Sequence, residues 1–189
     1  MTAVHGLPRL RVHLDGAPLA ADRAAAVRRL RVAQALSAPA QCELVLQLPD
    51  DRLARDGVAP GAALTVALDD RAPALFVGEV TAVEHAYTSA RWLELRVRAH
   101  DVLHRLHKRQ APRALVDADA AAVARALLAD AGVAATVDAG DAPAPIWPLV
   151  LHHDRTDFEL LREVCARAGL QFILWLDAPD APGALHLVT

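Results

Sequence analysis

Four residues close together carry the sharpest chemistry in the chain: His100, Asp101, His104 and His107. On an α-helix, steps of four and seven residues from His100 bring three imidazoles onto one face beside a carboxylate. Three nitrogen ligands with an open fourth position are a zinc geometry. The same residues have a structural use. Asp101 caps a short helix, and the histidines line a polar or interfacial face that must share packing with Leu103 or Leu106. The structural use is the expected one, with no metal and no cofactor; a metal-dependent enzyme on the His100/His104/His107 face is the alternative.

A second cluster, His152, His153, Asp154 and Asp157, offers two carboxylates of the kind that work as an acid/base pair in glycosidases. Both acids fall at the start of a helical pattern, where the positive end of the helix dipole favours carboxylates for structural reasons. Nucleophile motifs are missing: Ser37 and Ser89 are the only serines, and neither lies in a G-x-S-x-G elbow. No P-loop and no G-x-G-x-x-G occurs, so nucleotide binding has no footing. Cys42 and Cys165 form no metal spacing; Cys165 sits on the apolar side of its helical pattern, as a core thiol would. No catalytic residue is expected, and the chain reads as a non-enzyme.

Composition narrows the partners. Twenty Lys and Arg against 23 Asp and Glu leave a formal charge of -3, without the basic footprint of a nucleic-acid binder. His5, Arg9, Arg11 and His13 interrupt any signal-peptide core, and no stretch approaches the ~20 apolar residues of a membrane helix. A soluble chain that stays in the cytoplasm until assembly is expected, with no membrane insertion.

The elements that must position these residues are mostly strands. Leu10, Val12 and Leu14 alternate with polar residues and run into Asp15-Gly16, a strand and a tight turn. Residues 20–35 are alanine-rich and score as helix, yet Leu30, Val32 and Gln34 alternate, so helix and strand are both open there, with strand favoured over 30–36. Period-two runs recur at 42–48, 64–68, 75–86 and 92–99, with turn signals at 49–51 and 69–73. Six such strands imply an antiparallel barrel or sandwich. Helical spacing then starts near Val102 and covers one barrel end up to residues 108–109. Asp117 or Asp119 caps a second helix ended by Gly132, and a loop fills 138–148. A Thr156/Glu159 capping box starts a third, ended by Gly169. Strands at 171–176 and 184–188, joined by the turn-rich residues 177–183, close the chain. The layout is α+β: an N-terminal antiparallel β-barrel over 1–111, then a small α+β domain over 112–189 with two helices and a strand pair.

Three stretches resemble one known family, the hub proteins of contractile tails, which includes phage late control protein D and the hub portion of VgrG-type secretion spikes. Residues 75–115, LFVGEVTAVEHAYTSARWLELRVRAHDVLHRLHKRQAPRAL, resemble the family's F-x-G-x-V strand and D-x-L-x-x-L helix. Residues 116–133 are similar to its short helix before a glycine, and residues 149–174 to its D-F-x-x-L helix running into a glycine and a strand. The resemblance implies a tail-tube-like barrel and a trimeric hub that adapts the sixfold tail tube to the threefold spike. Implied partners are like subunits, the tube protein, the spike protein and other baseplate proteins, in a phage-tail, type VI or extracellular injection particle. The family's second barrel is expected to be absent from this chain. Trp147, Arg109 and Arg113 are the expected interface residues.

Overall fold

A computed structural model describes residues 9–48, 58–68, 73–87, 92–140, 145–176 and 183–189. They fall into two compact units. One holds the described residues up to Val32 together with those of Gln41–Ala99; the other holds Ala33–Ala40, the described residues of His100–Leu176 and the C-terminal strand. The turns expected at 49–51 and 177–182, and most of that at 69–73, lie outside the described residues.

The first unit is a seven-stranded sheet. Its strands are β1 (Leu10–Leu14), β2 (Ala17–Pro18), β3 (Val27–Ala33), β4 (Gln41–Leu48), β5 (Ala63–Leu68), β6 (Phe76–Tyr87) and β7 (Leu93–His100), in the order β2-β1-β5-β6-β7-β4-β3. Asp15 and Gly16 both take positive φ, 48° and 77°, which is the type I′ requirement for the two-residue β1–β2 hairpin. Asp15 Oδ1 accepts the Ala63 amide at 2.8 Å, so the same turn anchors β5. The period-two reading holds along β7, where Leu93, Leu95, Val97 and Ala99 are buried and Glu94, Arg96 and Arg98 are not. Cys42, Leu44, Leu46 and Leu48 of β4 and Leu64 and Val66 of β5 supply the rest of the buried side.

The sheet is an open half-barrel rather than the expected closed barrel: among the described residues β2 and β3 are its two ends. Two local choices explain this. Pro18 has no amide to extend β2, and residues Ala21–Ala26 form a short helix, α1, where a closing strand would have to run. Helix propensity therefore wins over Ala21–Ala26 and alternation wins from Val27, so β3 lies three residues earlier than the expected 30–36 strand. Leu36 and Ser37 are instead in a turn, with Ser37 at φ 55°.

The second unit packs a 3₁₀ helix (Val102–Lys108), α2 (Ala120–Asp130) and α3 (Asp157–Arg167) with two small sheets. One sheet is the antiparallel pair β8 (Arg113–Ala118) and β10 (Trp147–His152). The other is β11-β12-β9, in which β11 (Gln171–Trp175) runs antiparallel to β12 (Gly183–Val188), and β9 (Ala135–Asp138) runs parallel to it. Leu103, Leu106, Val123, Leu127, Leu160, Leu161, Phe172 and Leu185 make one core. Asp119 caps α2 by accepting the Ala122 amide, and Thr156 and Glu159 form the full capping box of α3. Gly132 and Gly169 end the two helices at φ 66° and 70°, where a side chain would be strained. The loop expected over 138–148 gives way at its end to β10. Asp117 at φ 47° kinks β8, and Pro148 sits in a strand of a two-stranded pair; both obscure the alternation that would have announced these strands.

Candidate interaction site

The histidine face does not assemble as a metal centre. The helix that carries it is 3₁₀ and starts only at Val102, so His100 is off it and just His104 and His107, three apart, share its face. His100 lies before the helix, 6.3 Å from His104 between ring centroids; His107 instead stacks on Phe158 at 4.1 Å. His104 is buried, and its Nδ1 lies 2.7 Å from the Asp101 carbonyl oxygen, so Nδ1 carries the proton and donates. Among the described residues no group of three His, Cys, Asp or Glu side chains is placed to hold a metal.

Asp101 does structural work. Its Oδ1 accepts the Leu103 amide at 3.0 Å and its Oδ2 the Ala40 amide at 2.7 Å, while its own amide donates to the Ala40 carbonyl. Burial pushes its carboxyl up to about 6, against the opposing pull of those two amide donors. The segment before β4 is thus stitched to the start of the 3₁₀ helix.

The two acids of the second cluster part company. Asp154 is exposed, at φ 54°, and pairs with His153 at 2.9 Å. Asp157, at the first position of α3, is fully buried. It meets Arg113 at 3.2 Å, Arg109 at 3.3 Å and His152 at 3.4 Å, and its amide donates to the Arg109 carbonyl. His152 also meets the Arg155 carbonyl through Nε2 at 2.9 Å, and Arg113 pairs with Asp130 as well. This is a carboxylate centre tying the chain before β8, β8 and β10 to the start of α3. A buried acid held between cations has no free edge for a general acid's work.

Arg109 and Arg113 both turn their guanidinium groups onto Asp157; Arg113 is 13% exposed and Arg109 37%. Trp147 is half-buried against the second unit's core, with Arg167 stacked over its ring at 5.6 Å. The residues that sequence reasoning missed are its neighbours. On the open face of the β8–β10 pair, Leu149 lies opposite Val116 and Leu151 opposite Ala114. Val116, Leu149 and Leu151 are 68, 53 and 58% exposed, and Ile146 beside them 67%. On the other face Val150 and His152 are buried. A short strand that is apolar on both faces expects cover on both, and the run Ile146–Leu151 carried that signal.

Both thiols are inert by position. Burial pushes Cys42 up to about 12, with Glu43 adding to the rise, and Cys165 up to about 11. Since the thiolate is the nucleophile, the native protein should release no chromophore from Ellman's reagent at pH 8, and both cysteines should react once it is unfolded.

Neither a family model nor a curated protein matches the sequence. Solved structures do. The 43 kDa tail protein of prophage MuSo2 from Shewanella oneidensis superposes with a TM-score of 0.74 at 15% identity, over 96% of this chain and 53% of that one. A tail protein of Neisseria meningitidis gives 0.67 at 19% identity, over 95 and 50%. The Escherichia coli c3393 protein gives 0.66 at 14% identity, over 86 and 48%. It is described as a component of the type VI secretion system with structural similarity to the bacteriophage T4 tail proteins gp27 and gp5. The chain therefore has the fold of these phage-tail and type VI secretion proteins, and it spans about half the length of each of the three.

Proposed function

We propose that this chain is a structural part of the hub or baseplate of a contractile injection apparatus, where it joins the tail tube to the spike. The observation that carries this is the fold: nearly the whole chain superposes on tail proteins. The β8–β10 face supports it, because four large apolar side chains left in water are what an assembly protein keeps for its neighbours. The work is positional, so catalytic residues are not required of it. The partners are like subunits, with a trimer the expected state, and the tube, spike and other baseplate proteins; the chain waits in the cytoplasm until it is built in.

Co-expression with tube and spike proteins of a contractile particle tests the reading. The wild-type chain should co-purify with at least one of them, and Leu149→Glu/Leu151→Glu should weaken that association by about a hundredfold. Both sites point outward, so the double variant should keep the wild-type circular dichroism and melting temperature. A wild-type chain that stays monomeric and binds neither protein would overturn the proposal.

A further inference from the structure

We propose that His100, His104 and His107 form an acid-released latch, which holds the segment 102–108 against α3 at neutral pH and lets it go on acidification. The geometry is a cluster. His104 is buried, with its Nδ1 proton on the Asp101 carbonyl; His100 lies 6.3 Å away; His107 lies flat on Phe158 of α3. In the neutral state the His107 ring stacks on Phe158, and the His100 and His104 rings lie tilted to each other. A second proton on each adds a positive charge to a site that already faces Lys108 from the same segment and Arg162 from α3.

The charged groups around the cluster oppose one another, and their balance sets the direction. Burial lowers all three histidines below their ordinary value, and the neighbouring imidazoles add to this for His100 and His107. For His104 the Asp101 carbonyl pulls back, and Lys108 lowers it further. Glu159 of α3 also pulls back, on His107 alone. A histidine held low in the fold takes up its proton more readily once the segment opens. The closed form is therefore fully favoured above about pH 6.5 and loses ground as pH falls below it. Asp101 acts in the other sense: raised to about 6, it takes up a proton in the closed form, between about pH 6 and 4. Three histidines against one carboxyl leave acid as the opening signal, and its onset precedes the protonation of Asp101.

Hydrogen exchange read by mass spectrometry, at pH 7.5 and 5.5 with the intrinsic rate divided out, tests the latch on the full chain. Protection of residues 102–108 and 157–162 should fall by about tenfold for each pH unit over which the opened form holds one more proton. The sheet of the first unit should change little. In His100→Gln/His104→Gln/His107→Gln the fall should disappear. If the buried His104 does not tolerate glutamine, His100→Gln/His107→Gln should reduce the fall while keeping the fold. Unchanged protection in the wild type, or an equal fall in the variants, would overturn the proposal.

Discussion

Asp157→Ala should lower stability by about 3–5 kcal/mol, one of the largest losses expected from a polar side chain among the described residues. The carboxylate is fully buried and stands between Arg109, Arg113 and His152. Its own formation is no great source of stability, because desolvating the ions consumes most of the attraction between them. Removing it is a different matter: two guanidinium groups are left facing each other, and Arg113, too buried to turn to water, keeps the exposed Asp130 as its acidic partner. Arg109, partly exposed, can relax, which keeps the estimate at the lower end of that range. For a chain of this size the melting temperature should drop by roughly 6–20 °C, measured by circular dichroism. Asp154→Asn is the control, because asparagine removes the charge and still tolerates the left-handed backbone at φ 54°. Asp154 lies three residues earlier and carries the same charge, but it is exposed, and the variant should stay within about 0.5 kcal/mol of wild type. Equal effects at the two positions would mean that charge at the helix start, and not the buried centre, supplies the stability.

That contrast marks where sequence reading stopped. His152, Asp154 and Asp157 were visible as a cluster, and a helix dipole was reason enough for acids to gather there. What separates them is a burial difference produced by tertiary packing: β8 brings Arg113 to Asp157 from 44 residues away. β8 was itself hidden, because its alternation is broken by Asp117 in a left-handed conformation. The strands of the first unit were legible for the opposite reason. Their apolar residues fall at strict period two, with Asp15-Gly16 fixing the hairpin. Closure was not legible, since it depends on whether Ala21–Ala26 coils into a helix or extends, and alanine fits either. The metal alternative at the histidines needed an α-helix that includes His100, whereas the helix starts at Val102 and winds as 3₁₀.

Asp101→Ala should cost about 2–6 kcal/mol by another route, the orphaning of two buried donors. The Leu103 and Ala40 amides both end on this carboxylate, and each loses its acceptor when the side chain is cut back, at about 1–3 kcal/mol apiece. Asparagine should recover part of the loss, since its amide oxygen still caps one donor while its NH₂ group faces the other. The two variants also separate by pH. In the wild type the carboxyl is raised to about 6, so the folded form binds a proton that the unfolded form releases between about pH 4 and 6, and this group's contribution to stability falls as pH rises across that window. Asp101→Asn cannot titrate, so the gap between it and the wild type should widen as the buffer is taken from pH 7 towards pH 4.5, measured by urea unfolding. A gap that stays constant with pH would mean that Asp101 remains a carboxylate throughout, held so by the two amides that point at it.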